Sequence, residues 1–336
     1  MAILLVLFPA AFTQAQQEQT VDGVPGNEVP RYFTFTFEND LFVGEDNGYT
    51  NGLGLTFGKG PFREFNDTNL PRWLQPLISN SYLNRGEGMR RGVAHMYAQR
   101  MQTPQDITVA EPIEGDLPYA GLLAWQGTFY EYNEFRSDQV SLSLGIVGPA
   151  SLAEQGQSII HTITGSDQPE GWNLQLKNEL VGRVEALRVW KLARSTAGPR
   201  GWDVLGLGGV GLGTLQSGMG AGIAMRWGSN LEYTHSTFSL EADRQVNPLA
   251  IRESNGFYAY AGAKAGVVFN DVLVQGNTFT DSHSAELEHW QNQLSAGLVW
   301  SMGKLAYVFQ LSTFSSHIES TDKREKYGAL SVTFRY

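Results

Sequence analysis

An antiparallel β-barrel of twelve strands crossing a membrane is the fold that this sequence predicts, and three observations predict it. Most of the chain alternates apolar and polar residues with a period of two, over segments of about ten residues, which suits a tilted strand crossing a bilayer. The composition is unusual for a cytosolic enzyme. Charged residues make up 17% of the 336 and aromatics 12%, and the 38 glycines are about 11% against a usual ~7%. Finally, no stretch after the N-terminus has 18 consecutive apolar residues, so a helical membrane protein is excluded. The formal charge of −10 argues against a nucleic-acid partner, whose binding domains are basic. Cys is absent, which removes disulfides, zinc-thiolate sites and a cysteine nucleophile.

The elements follow in order. Residues 1–15 carry an apolar run, MAILLVLFPAAF, and then Ala15 as a cleavage point, the pattern of a secretory signal peptide. The basic n-region is missing, so the true start is expected upstream. Residues 16–30 read as a flexible leader and 31–336 as the barrel. In the first strand, Tyr32–Phe37, Phe33, Phe35 and Phe37 share one face and Thr34 and Thr36 the other. In the second, Thr50–Lys59, Leu53, Leu55 and Phe57 align. Further strands are expected at 91–101, 120–133, 138–147, 180–193, 201–214, 219–228, 256–268, 290–302, 304–316 and 326–336. A thirteenth candidate, 271–279, is the weakest, and an even count favours reading it as a folded-in loop. In the last strand Leu330, Val332, Phe334 and Tyr336 should meet lipid. Trp125, Tyr130, Tyr132, Trp190, Trp202, Trp227, Tyr258, Tyr260, Trp300 and Tyr307 are candidates for interfacial aromatic girdles. Gly206, Gly208 and Gly211 match G-x-G-x-x-G, but neither a helix nor a suitably spaced acid follows, so they read as strand glycines.

One segment breaks the alternation. Residues 151–164 have a helical period, with Ser151 and Glu154 spaced as a capping box and Gly165 placed as a C-terminal stop. Leu152, Ile159, Ile160 and Ile163 form an apolar stripe; Glu154, Gln157, His161 and Thr164 form a polar one. The apolar stripe is expected to pack on the barrel mouth or lumen wall, with Gln157 and His161 turned toward a cleft. A lone His on a helix is more often solvated or hydrogen-bonded than catalytic. Gln157 one turn earlier could orient a water or hold the imidazole, and His suits general-base work near neutral pH. A second cluster, Glu38-Asn39-Asp40, closes the first strand and faces Tyr49-Thr50-Asn51-Gly52 across a hairpin through 44–48. Converging carboxylate, amide and hydroxyl oxygens are what Ca²⁺ prefers; a solvated turn has the same composition.

The segments FTFENDLF, YTNGLGLTFG, QTP (102–104), DLPYAG (116–121), GIVGPASLAEQGQSIIHTITG, PEGWNLQLKNE and LVQGNTFTDSH (273–283), in that order, resemble the outer-membrane lipid A 3′-O-deacylase family. The resemblance runs from about residue 32 to the C-terminus. It implies a twelve-stranded barrel in the bacterial outer membrane, a calcium-dependent carboxylic ester hydrolase, and lipid A or lipopolysaccharide as substrate among the outer-membrane lipids. The family's active-site histidine falls on His161, its glutamine on Gln157, its Asn-Asp pair on Asn39 and Asp40, and its hydroxyl residue on Thr50. Asn39 and Asp40 are then the expected metal ligands. An acidic residue of one branch corresponds roughly to Asp167. Many relatives read Asp-Arg-Pro where this chain has Asp116-Leu117-Pro118, so no arginine is supplied there for substrate phosphates. Arg90, Arg91, Arg100, Lys177 and Arg183 are the other basic candidates. Two other readings stand beside the deacylase: an outer-membrane phospholipase or other lipid esterase using the same His, and a non-enzymatic porin or structural barrel.

Overall fold

The structure, a computed structural model, describes residues 29–39, 49–65, 72–83, 88–165, 167–195, 200–232, 234–235 and 255–336, with backbone only for 49–51, 77, 80, 163 and 164. The expected signal peptide, most of the leader, the hairpin at 44–48 and Asp40 lie outside the described residues.

Twelve antiparallel strands form a closed barrel in which each pairs with its sequence neighbours. They are β1 Arg31–Asn39, β2 Tyr49–Phe62, β3 Arg90–Gln102, β4 Ala120–Tyr132, β5 Arg136–Val147, β6 Glu179–Ser195, β7 Gly201–Gly213, β8 Gln216–Gly228, β9 Gly256–Asp271, β10 Trp290–Met302, β11 Leu305–Phe314 and β12 Glu325–Arg335. β1 closes the ring on β12, with Thr34 opposite Thr333 and Phe35 opposite Val332. Among the described residues there are three short α-helices: α1 Gln75–Asn80, α2 Ala153–Thr164 and α3 Val272–Gln275. The weak segment 271–279 is not a strand of its own. β9 ends at its first residue, and α3 and a loop follow.

Alternation sets what each face meets. Phe35, Leu55, Leu144, Leu180, Leu212, Ile223 and Leu298 point outward and are exposed. The intervening residues face the lumen, where hydroxyls pair across strands: Thr34 with Thr333 (2.7 Å), Thr36 with Ser331 (2.9 Å), Thr128 with Ser141 (3.0 Å) and Ser295 with Ser312 (2.7 Å). Apolar outside and polar inside is the order that a bilayer demands. None of the described helices is long and apolar enough to cross a membrane; the strands do so. The girdle reading needs one correction. Trp190, Trp202, Trp227 and Trp300 are exposed, but Tyr130, Tyr132, Tyr258 and Tyr260 are buried on the lumen side. Their parity along β4 and β9 turns them inward, and Tyr260 donates to Gln310 Oε1 at 2.6 Å. Gly206, Gly208 and Gly211 lie within β7 as expected, with the Arg183 guanidinium laid over Gly211.

The two ends differ. Arg31 and Tyr336 exchange backbone bonds at one end. There Thr234 and His235 are buried in the lumen, held by Arg226, which bonds Asp203 through Nε (2.8 Å) and Nη2 (2.6 Å) and the His235 carbonyl through Nη1 (3.1 Å). At the opposite end most connections are long: 103–119, 148–178, 272–289 and 315–324. Long loops mark the extracellular side of such barrels. There α3 closes the mouth, its Leu273 carbonyl accepting from Gln102 Nε2 at 2.6 Å. Leu122, Val147, Leu176, Val181, Leu215 and Val272 pack around it.

Candidate active site

After β5 the chain reverses at Gly148, whose N–H donates to the Gly121 carbonyl at 2.9 Å. A 3-10 turn, Pro149–Ser151, leads to Leu152 in the left-handed region (φ 58°), and α2 begins. The expected capping box does not form. Ser151 Oγ donates backward to the Gly148 carbonyl at 2.6 Å, and the cap position falls on Leu152, which has no side-chain acceptor. The C-terminus stops as expected, at Gly165 (φ 76°), with its N–H on the His161 carbonyl at 2.9 Å.

The helix is not in the mouth or on the lumen wall, where the sequence pattern put it. It lies against the outer wall. Gly121, Gln99 and Met101 share the outward face of β3 and β4 with the exposed Leu123 and Tyr97. A Cβ on Gly121 would fall 2.1 Å from Ser151 Oγ and 2.3 Å from Ala153 Cβ, and one on Gly156 would fall 2.7 Å from Met101 Cε. Gln99 Nε2 donates to the Ser151 carbonyl at 2.6 Å. Glycine at these contacts lets helix and wall approach backbone to backbone. The helix is also turned over. Ala153, Gln157 and His161 are buried, Ile160 is half-buried, and Leu152 and Ile159 are exposed. Outside a membrane barrel the solvent is hydrocarbon, so Leu152 and Ile159 belong outward and Gln157 and His161 against protein, while Glu154 stays exposed.

His161 Nδ1 lies 2.5 Å from the Asp167 carbonyl oxygen. A carbonyl only accepts, so Nδ1 carries the proton of this bond, and Nε2 is the nitrogen left to serve as a base. Asp167 therefore acts through its main chain, while its side chain is exposed. Gln157 does not hold the imidazole. Its Oε1 accepts from Trp172 Nε1 at 2.7 Å. Trp172 packs edge-on to Tyr119 (centroids 5.2 Å apart), and Tyr119 Oη donates to the Ile107 carbonyl at 3.0 Å. Burial pushes the Tyr119 phenol above its ordinary range, with the nearby Asp106 and Glu170 carboxylates adding to the rise, so it stays a donor. Met101, Ala153, Trp172 and Tyr119 form the apolar floor. Sequence reasoning gave Trp172 and Tyr119 no role. The available signal was a large aromatic in each of two non-strand segments, PEGWNLQLKNE and DLPYAG.

Asn39 is brought to the same face. Its backbone partners are Asn51 and Gly328, Asn51 lies opposite Met101, and Met101 opposite Gly121. At about 4.8 Å per strand spacing, Asn39 stands about 10 Å along the wall from Met101 on β3, one of the two strands that α2 rests on. Its side chain is buried. Thr50 lies at a bulge between Tyr49 and Asn51; its side chain and all of Asp40 fall outside the described residues. Among the described residues no group of three or more His, Cys, Asp or Glu gathers as a metal cluster. The buried amide oxygen of Asn39 is the kind of hard donor that suits Ca²⁺. Glu38 alternates toward the lumen, away from Asn39.

Most basic candidates are placed elsewhere. Arg90 and Arg91 start β3 at the end carrying the termini, and Arg91 pairs with Glu131 at 3.1 Å. Arg100, opposite Gly52 on the Glu38 row, faces the lumen. Arg183 is in the lumen with Glu185 (3.2 Å). Lys177 is exposed in the far-end loop before β6. Leu117 is buried with Val274, Ala285, Leu287 and Ile318, in an apolar cap over the mouth rather than beside α2.

A model of the family described as "Outer membrane protein LpxR" matches residues 1–336. No curated protein sequence matches the chain. Among solved structures, LpxR from Salmonella typhimurium superposes with a TM-score of 0.74 at 14% identity, over 90% of this chain and 99% of that one. The β domain of the Bordetella autotransporter BrkA gives 0.44 at 10% identity, over 92% and 98%. The translocator domain of NalP from Neisseria meningitidis gives 0.42 at 9%, over 91% and 88%.

Proposed function

The chain belongs to the LpxR family of outer membrane proteins, and from that premise we propose that it hydrolyses the 3′ ester-linked acyl groups of lipid A in the outer leaflet. The observation that carries this reading is a buried imidazole, tautomer fixed by the Asp167 carbonyl, held between the outer barrel wall and α2. A catalytic base in the lumen would be cut off from a lipid. One on the membrane side lies where acyl chains already are.

His161 Nε2 takes a proton from water as the water oxygen bonds to the ester carbonyl carbon. The Asp167 carbonyl stabilises the resulting imidazolium. When the tetrahedral species collapses, the C–O bond to the sugar breaks and the imidazolium returns its proton to the sugar oxygen. The products are a free fatty acid and a 3′-hydroxyl. General-base help of this kind is worth roughly 10²–10⁴-fold. Asn39 and Asp40 would hold a Ca²⁺, with Thr50 completing the polar wall. When bound, such an ion supplies Lewis acidity toward the ester carbonyl. Chelation should stop turnover and added Ca²⁺ restore it, read as fatty acid released.

The lumen, filled by apolar clusters toward both ends, favours this reading over a diffusion pore. Mass spectrometry of lipid A from cells with and without the protein tests it: one ester-linked acyl unit should be lost. Unchanged lipid A alongside cleaved phospholipid would transfer the activity to the other esterase class.

A further inference from the structure

One turn before His161 on α2 lies a primary amide whose donor side is unsatisfied. Gln157 is fully buried. Trp172 Nε1 can only donate, so the Gln157 oxygen must face it, at 2.7 Å. Nε2 is thereby turned away from Trp172, and it is buried with no hydrogen-bond partner. Proteins rarely leave a buried amide donor unpaired, because desolvating it without compensation is destabilising. We propose that Gln157 Nε2 is an oxyanion donor of the hydrolase, and that Trp172 is the positioning residue that fixes the amide in that orientation.

This inference rests on the hydrolase reading. Gln157 and His161 lie one turn apart on the same helix face, a spacing that puts their Cβ atoms about 5–6 Å apart. An ester whose carbonyl carbon meets a water held on His161 Nε2 therefore has its oxygen within reach of Gln157. As the water oxygen bonds to carbon, the carbonyl π pair moves onto that oxygen. A fixed N–H donor gains most from this moment, since it binds the oxyanion more strongly than the ground-state carbonyl. The opposite role, an acceptor that orients water, would need the amide oxygen, which Trp172 occupies.

Gln157→Glu separates the two roles in purified protein assayed on lipid A in detergent micelles. It keeps an acceptor for Trp172 and nearly the same shape, but presents an anionic oxygen to the ester. The expected result is a fall in kcat of about 10²–10³-fold with KM little changed, in a barrel whose heat-modifiable gel migration matches wild type. Trp172→Phe keeps the ring against Tyr119 and removes only the N–H. It should lower kcat about tenfold through a loosened amide and add nothing in the Gln157→Glu background. Gln157→Met, which lacks donor and acceptor, should match Gln157→Glu and serves if the carboxylate disturbs folding. Near-wild-type turnover in Gln157→Glu or Gln157→Met overturns the oxyanion role. A Trp172→Phe loss that persists undiminished in the double variant overturns the positioning role. If wild-type protein itself releases no acyl chain, the hydrolase reading fails; an active wild type with an active Gln157→Glu removes only the amide's role.

Discussion

Two sectors of the outer wall obey the same alternation and meet different surroundings. On β8 and β10 the outward residues Met219, Ile223, Leu298 and Trp300 are more than half exposed, a bare apolar surface for lipid. On β3 and β4 the outward residues Met101 and Phe129 are fully buried. α2 covers the far-end part of this sector. At the other end Leu74, Ile78 and Leu83, in and around α1, pack on Phe62, Val93, Phe129 and Val140. Between the two coverings Trp73 stands beside Trp125 (centroids 6.3 Å apart), which stacks on His95 (5.9 Å). The lesson is that alternation decides which way a side chain points and not what it meets. The bare sector anchors the barrel in the bilayer, and the covered sector carries the candidate chemistry.

The comparison can be broken in four places. His161→Ala in the covered sector should cost about 10²–10⁴-fold in acyl release while the barrel still folds, read by lipid A mass spectrometry and gel migration. Persisting activity would detach the imidazole from the reaction. Ile223→Lys, midway along β8 on the bare sector, should destabilise the barrel by about 2–4 kcal/mol in urea titrations in lipid vesicles, with the activity of the folded fraction unchanged. Gly121→Ala should lift α2 from the wall, because the new Cβ meets Ser151 and Ala153 at 2.1 and 2.3 Å. A loss of about tenfold in turnover is expected from that misplacement. Its counterpart Gly208→Ala meets nothing nearer than Trp190 at 3.7 Å and should be silent; equal effects of the two would mean that the helix contact does not matter. The smallest change is expected for Ile159→Lys. That side chain points away from the wall on a rim helix, where a charge near the interface costs about 0–1 kcal/mol.

Much of this was legible from residues alone. Phe33, Phe35 and Phe37 against Thr34 and Thr36 predicted β1 and its faces, and the same rule located all twelve strands to within a few residues. The departure from period two at 151–164 marked α2 and singled out Gln157 and His161 as neighbours on one stripe. Three features were not legible. Ser151 looks like a cap, but the 3-10 turn before the helix uses its hydroxyl for Gly148. Trp172 and Asp167 meet the helix only after the loop folds back, so nothing in their spacing ties the first to Gln157 or the second to His161. Tyr258 and Tyr260 look like girdle residues until the register of β9 turns them into the lumen.

By itself the sequence determined a closed, twelve-stranded wall with hydroxyls within and hydrocarbon side chains without, since a period of two is local and each strand's pattern fixes its own two faces. Only the tertiary structure decided that α2 docks on the outside and that Gln157 and His161, rather than Leu152 and Ile159, are buried. The physical reason is that amphipathicity reports a difference between two sides of a helix, and its sign depends on the solvent. In water Ile159 would be driven inward; beside lipid it stays out, and His161 is pressed against the wall.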